Sequence, residues 1–173
     1  MENGERRAAG SAAAAVVHAL ADRGDTLAVV ESLTGGLLAA AIVDIAGVSS
    51  VFRGGVVAYA TELKASLVGV PAGLLAERGA VDPDVAVALA EGGRDRCGAD
   101  WCLATTGVAG PEPQDGKPVG LVFVAAAGPS GTEVQRLEID GNRLRIRAGT
   151  VEAALTLLAD RLHAEAPAVR VDD

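Results

Sequence analysis

Between residues 26 and 45 the hydrophobic pattern switches from that of a strand to that of a helix across one tight turn, Glu31-Ser32-Leu33-Thr34-Gly35-Gly36. Residues 26–30 are a short apolar, β-rich run, and residues 37–45 return to apolar side chains at helical spacing. A strand that feeds a helix through a glycine turn is the building unit of a layered α/β domain, because the helix must pack back on the sheet to bury its apolar face.

The rest of the chain continues the alternation. Residues 8–23 carry Ala, Val and Leu at helical spacing up to Gly24. Residues 53–60 hold a Gly-Gly pair followed by Val-Val-Ala-Tyr and read as a strand. Thr61 is expected to cap a helix carrying Lys64, which Pro71 and Gly73 interrupt. Asp82-Pro83 supplies an N-cap and a first helical residue for a helix over 83–96. Residues 101–106 and 119–127 read as strands on either side of a loop at 107–118. Residues 133–139 form the hairpin partner of the second strand across Gly128-Pro129-Ser130-Gly131, and a last helix covers about 142–164. The late hairpin makes the sheet mixed. A chain of 173 residues with no internal repeat and no long linker is expected to be one domain, with its ordered core at about 10–164.

Composition removes several partners. Half the residues are apolar but only 2% are aromatic, so aliphatic side chains fill the core and no stacking platform for single-stranded nucleic acid exists. The net charge of -8 leaves no basic stripe to neutralise phosphates, so nucleic acid is not an expected partner. Every apolar segment is punctuated before about eighteen residues, and the start lacks a signal-peptide pattern, so the chain is expected neither to span nor to anchor to a membrane. Cys97 and Cys102, with no neighbouring Cys or His set, support neither a zinc site nor a disulfide framework. Two reduced, structural thiols suit a cytoplasmic protein.

Chemistry concentrates at four places. Ser32 sits between a strand and a helix start, where it can attack a carbonyl beside outward-facing N–H groups, where those groups can cradle a phosphate, or where Ser32 and Thr34 simply cap the helix. The two histidines, His18 and His163, lie in terminal helices, which argues against a Ser-His-Asp triad. Lys64 is the better base if burial and a neighbouring charge bring it from about 10.4 to roughly 7–8; otherwise it is a solvated surface lysine. Thr105-Thr106-Gly107-Val108-Ala109-Gly110-Pro111 leaves a strand into a small-residue loop where backbone can approach a ligand. Arg143 and Arg147 share one face of the last helix and either bind a phosphate or form a solvated face.

Taken together and in order, these segments resemble the CinA C-terminal domain family, whose members include nicotinamide-nucleotide amidases. Residues 31–36 are similar to its Glu-Ser-Cys-Thr-Gly-Gly signature. Gly54-Gly55-Val56-Val57-Ala58-Tyr59, then Lys64 and Leu67-Val68-Gly69-Val70, are similar to its Gly-Gly-Val-Val-x-Tyr…Lys…Leu-Leu-Gly-Val stretch. Thr106-Gly107-Val108-Ala109-Gly110-Pro111 with Lys117-Pro118-Val119-Gly120, and the Gly141 to Arg147 segment, complete the likeness. The chain departs from the pattern at Leu33 (Cys), Asp82 (Ser), Glu112-Pro113 (a Gly-rich pair), and at Asn142 and Leu144 (acidic residues). Only a short stretch precedes the first helical pattern, so the nucleotide-like N-terminal domain of longer members is expected to be absent.

The resemblance implies a three-layer α/β/α sandwich with a mixed, mainly parallel sheet, and hydrolysis of nicotinamide mononucleotide to nicotinate mononucleotide and ammonia. It implies Ser32 as nucleophile, Lys64 as base, and Tyr59 and Thr106 as groups that position or polarise the amide. Backbone N–H groups near Thr34 to Gly36 would hold the oxyanion, Glu31, Gly107, Ala109 and Gly110 would border the nucleotide, and Arg143 or Arg147 would take its phosphate. No metal or cofactor is needed, and a homodimer or higher homo-oligomer is expected. A nucleotide-binding module without chemistry, or a deamidase of another small amide, are the competing expectations.

Overall fold

A computed structural model describes residues 2–165. The elements run α1 (Glu2–Arg23), β1 (Leu27–Glu31), α2 (Leu37–Val43), a 3-10 turn (Val48–Ser50), β2 (Phe52–Val57), α3 (Thr61–Val68), α4 (Ala72–Arg78), α5 (Pro83–Cys97), β3 (Trp101–Gly107), β4 (Leu121–Gly128), β5 (Gly131–Glu138) and α6 (Arg143–Ala164). The five strands form one sheet in the order β2-β1-β3-β4-β5. β1 pairs parallel with β2 and β3, whereas β4 runs antiparallel to both β3 and β5. Four of the five strands therefore point the same way, and the sheet is mixed because the β4–β5 hairpin closes it.

Strand alternation divides the core into two layers. Leu27, Val29, Trp101, Leu103, Val122, Val124 and Ala126 face one way and pack with α1, α2 and α6. Ala28, Val30, Cys102, Ala104, Phe123, Ala125 and Ala127 face the other way and pack beneath α3, α4 and α5. The α/β/α sandwich follows from sheet faces that are apolar on both sides, which need helices on both. Small residues let the second layer approach closely. A Cβ added at Gly93 of α5 would lie 2.3 Å from Val30 Cγ2 and 2.7 Å from Cys102 Sγ.

Three local expectations change. Ala60, not Thr61, is the N-cap of α3, without a side-chain cap bond, and Thr61 is already helical. Pro71 does not merely interrupt: it is the N-cap of α4, and its carbonyl accepts from the amides of Leu74 and Leu75. Proline fits there because the start of a helix needs no N–H from it. β1 also runs one residue further than the apolar run suggested and includes Glu31. The Asp82 cap forms, its carboxylate accepting from the Asp84 amide at 2.8 Å.

Candidate active site

The alternation that sorts the core also sorts the site. Leu27, Val29 and Glu31 point to the α1/α2/α6 layer, so Ser32, the next residue, continues the face of Ala28 and Val30. On β3, Thr105 falls on the first face and Thr106 on the second. β2 lies beside β1, and the Ala58 amide extends their pairing by donating to the Glu31 carbonyl at 2.9 Å. The chain then turns into α3, whose first turn carries Lys64 back over the end of β1.

Lys64 is almost wholly buried, at 1% exposure. Its Nζ lies 3.0 Å from Ser32 Oγ, 2.8 Å from the Ala58 carbonyl and 3.2 Å from the Tyr59 carbonyl. Burial disfavours the ammonium and lowers its pKa from 10.5 to about 8, against the pull of Glu62, which raises it. No neighbouring positive charge contributes to that depression; desolvation does it. A neutral amine has two N–H groups and one lone pair. With the two N–H groups given to the carbonyls of Ala58 and Tyr59, the lone pair is left to accept the Ser32 hydroxyl proton.

Glu31 has a different place from the one expected. Its carboxylate is fully buried and accepts from the amides of Gly36 at 3.0 Å, Leu38 at 3.0 Å and Ala39 at 2.9 Å. The chain's own anion thus fills the N-terminus of α2, where a phosphate would otherwise sit. The Gly35 amide donates to the Ser32 carbonyl at 3.0 Å. These contacts correct three expectations: Glu31 does not border a nucleotide, Gly35 and Gly36 have no spare N–H for an oxyanion, and Glu31 rather than Ser32 or Thr34 caps the helix. Thr34 is buried, with its hydroxyl 2.8 Å from that of Thr105.

A cavity of about 100 Å³ opens at the carboxyl ends of β1 and β3. Ser32, Tyr59, Lys64, Thr106, Gly107, Ala109, Gly110 and Arg143 line it; Glu31, Thr34, Gly35, Gly36 and Arg147 do not. Thr106 Oγ1 donates to the Ala80 carbonyl at 2.6 Å, which leaves its lone pairs as acceptors. Arg143 donates to the Gly110 carbonyl at 2.7 Å and to the Tyr59 hydroxyl at 2.8 Å, and has no carboxylate partner among the described residues. Arg147, one turn on, instead donates to the carbonyls of Leu33 at 2.9 Å and Thr34 at 2.8 Å. These bonds tie it to the scaffold of the turn, and it does not line the cavity.

Sequence reasoning missed Ala80 and Val81 as lining residues, whereas the 112–116 loop, expected to border the pocket, does so through Glu112 and Gln114. Ala80 and Val81 were hidden because the α4–α5 connection was read as a simple break. Glu112 did carry a signal, as a charged residue where the resembled pattern has glycine.

Comparison with known proteins decides the family. The model of the CinA C-terminal domain matches residues 9–162. The chain belongs to the CinA family. A CinA-like protein of Frankia casuarinae is 53% identical over 143 residues, covering 83% of this chain and 33% of the relative. A CinA-like protein of Geobacter sulfurreducens is 48% identical over 149 residues, covering 86% and 36%. The chain thus spans about a third of the length of the curated relatives it matches. Among solved structures, a competence-damaged protein (CinA) superfamily protein from Klebsiella pneumoniae superposes with a TM-score of 0.88 at 33% identity, over 91% of this chain and 99% of its own. The competence/damage inducible protein CihA from Agrobacterium tumefaciens gives 0.85 at 34%, over 90% and 96%.

Within the CinA pattern, most departures of this chain keep the local physics. Leu33 is 3% exposed and fills the core where the signature has Cys. Asp82 caps α5 as a serine would, and Asn142 caps α6 by accepting from the Arg145 amide at 3.0 Å. Leu33 and Glu112 are the departures found among the lining residues, and Glu112 adds a carboxylate there.

Proposed function

We propose that this CinA-family chain is an amidohydrolase that converts nicotinamide mononucleotide and water to nicotinate mononucleotide and ammonia. The observation that carries the reading is the 3.0 Å approach of a buried Lys64 Nζ, with its pKa lowered to about 8, to Ser32 Oγ at the floor of a cavity. A serine is a weak nucleophile until a base takes its proton, and a desolvated amine beside it meets that need.

Ser32 Oγ adds to the carboxamide carbon while its proton passes to Lys64 Nζ. The tetrahedral oxyanion collapses, the C–N bond breaks, and the Lys64 ammonium returns the proton to the departing nitrogen as ammonia. Water then attacks the Ser32 ester, Lys64 takes its proton, and Ser32 Oγ leaves and is reprotonated, releasing the carboxylate. Thr106, whose hydroxyl hydrogen is used by Ala80, accepts from the carboxamide NH2 and so orients the carbonyl toward Ser32. Tyr59, whose oxygen already accepts from Arg143, has its own O–H left to donate.

Charge supports this substrate. The carboxamide ring enters the open cavity beside Ser32, and ribose and phosphate lie toward its mouth. Arg143, a cation with no carboxylate partner among the described residues, suits the phosphate there. Glu112 suits the positive pyridinium ring. The reading carries a cytoplasmic setting, in keeping with the two free thiols Cys97 and Cys102.

The test is ammonia release by purified protein from nicotinamide mononucleotide, free nicotinamide and a panel of other small amides. The reading predicts release from the mononucleotide and a loss of at least about a hundredfold in Ser32→Ala. Release from a different amide alone, or none from any, rejects it.

A further inference from the structure

Ala80 and Val81, in the short connection between α4 and α5, form one wall of the cavity, and both are buried. The connection is fixed at its two ends. The Gly79 amide donates to the Leu75 carbonyl at 2.9 Å and closes α4, and the Asp82 carboxylate accepts from the Asp84 amide at 2.8 Å and opens α5. Gly79 itself has a φ of 77° and a ψ of -180°, a region that residues with a Cβ almost never enter. Space is not what requires glycine there, because a Cβ would meet only the Asp115 side chain, no nearer than 3.7 Å. The backbone conformation requires it, and the result is the placement of the next carbonyl, that of Ala80, at 2.6 Å from Thr106 Oγ1.

A carbonyl cannot donate, so this bond has one sense: the Thr106 hydroxyl hydrogen points at Ala80. A hydroxyl has one hydrogen and two lone pairs, so Thr106 can offer the cavity only acceptance. Thr106 also stands beside Ser32. Glu31 pairs with Thr105 across the parallel strands, and the Ser32 amide continues the pairing by donating to the Thr105 carbonyl at 3.1 Å. Ser32 and Thr106 are therefore next in register, on strands about 5 Å apart. A carboxyl derivative lying over Ser32 with one arm toward Thr106 is selected by that arm. An NH2 donates to the Thr106 lone pairs, whereas a carboxylate oxygen meets them with lone pairs of its own. Thr106 is 1% exposed, so water does little to relieve two facing acceptors.

We propose that the Gly79-Ala80 connection is a specificity determinant of this site: by holding a carbonyl on Thr106 it leaves an acceptor that admits a carboxamide and turns away the carboxylate made from it. The inference rests on the amidase reading above and adds how the site tells substrate from product, which differ only in NH2 against O−. A site that held both alike would keep its product bound. Gly79 is a positioning residue, since it acts only through the Ala80 carbonyl.

The test is titration calorimetry at pH 9 with nicotinamide mononucleotide and nicotinate mononucleotide, on the whole chain carrying Ser32→Ala, alone or combined with Thr106→Val, Thr106→Ser or Gly79→Ala. Ser32→Ala prevents turnover, so both compounds are read as equilibrium ligands. At pH 9 the Lys64 amine, whose pKa burial lowers to about 8, is mostly neutral and does not draw the carboxylate in. Ser32→Ala alone is expected to bind the amide at least about tenfold more tightly than the acid, the scale of one hydrogen bond gained against one acceptor left unpaired. Thr106→Val, nearly the same shape without the oxygen, should bring the two affinities within about threefold of each other. Thr106→Ser keeps the hydroxyl and should keep the preference, whereas Gly79→Ala should lower it by freeing the Thr106 hydrogen to donate to the acid. Partial unfolding would weaken both ligands alike, so the ratio separates positioning from damage to the fold. Equal affinity for amide and acid in Ser32→Ala alone, or a preference that survives Thr106→Val, overturns the inference. An unchanged preference in a folded Gly79→Ala overturns the part given to Gly79, and should that variant not fold, the two Thr106 variants decide. The serine mechanism can fail separately. A wild type that releases no ammonia from the mononucleotide, with an amide preference that Thr106→Val abolishes, supports the inference and rejects the mechanism; binding of neither ligand rejects both.

Discussion

If Lys64 is the base, the rate must follow its deprotonation, and the structure gives the midpoint. Burial sets the pKa at about 8. About one molecule in eleven then holds the neutral amine at pH 7, about half at pH 8 and about ten in eleven at pH 9. Turnover should therefore rise about tenfold between pH 7 and pH 9 and level off. An ordinary exposed lysine near 10.5 would give a rise of about a hundredfold over the same window, with no plateau. Glu62 works against the depression, so Glu62→Gln should move the midpoint down and make the variant faster than wild type at pH 7. The assay is initial-rate formation of nicotinate mononucleotide by chromatography at substrate well below KM, which reports the free protein's titration, from pH 6 to pH 10. A profile that is flat, that climbs a hundredfold without levelling, or whose midpoint moves up in Glu62→Gln refutes Lys64 as the proton acceptor.

Holding an amine at about 8 instead of 10.5 costs about 3 kcal/mol of folding free energy wherever the unfolded chain would be protonated and the folded one must be too, that is below pH 8. Wild-type stability should accordingly rise by that amount between about pH 8 and pH 10.5 relative to Lys64→Met, which is inactive and lacks this slope; parallel denaturant-midpoint curves for the two proteins would contradict the assignment. Gly93→Ala forces a methyl against Val30 and Cys102 and should cost about 1–3 kcal/mol by chemical denaturation. Glu112→Gln should raise KM for the cationic mononucleotide about fivefold, what a charge pair near 4 Å is worth in a water-like medium, and leave inhibition by its reduced, neutral-ring form unchanged.

The three-layer fold was legible because short apolar runs, buried on both faces in β1, β3 and β4, alternate with helical patterns, several of which have recognisable ends. Asp82-Pro83 acts at the start of α5 as its chemistry predicts. The role of Glu31 was legible too, but was overlooked: its parity with Leu27 and Val29 assigns it to the layer away from the cavity, and the parity of Ser32 and Thr106 assigns them to the other. What the pattern alone could not supply was the meeting of Ser32 with Lys64. That depends on β2 lying next to β1, a non-local pairing of Val30 with Val56 and Glu31 with Val57 that no short-range signal encodes. The resemblance to a known family supplied it instead. The two arginines show the same limit: their spacing revealed a common helix face, but only the placement of α6 against the Leu33–Thr34 carbonyls and the Gly110 loop separates a mouth residue from a backbone clamp. α4 was hidden because Pro71 reads equally well as a breaker and as a helix start.

The covalent step at Ser32 is the centre of the account, and rapid acid quenching of the protein with nicotinamide mononucleotide, followed by peptide mass spectrometry, tests it directly. The account predicts the nicotinate-mononucleotide acyl group on the peptide carrying Ser32 in wild type and none in Ser32→Ala. Turnover that persists in Ser32→Ala, or an acyl group found on another residue, would contradict it.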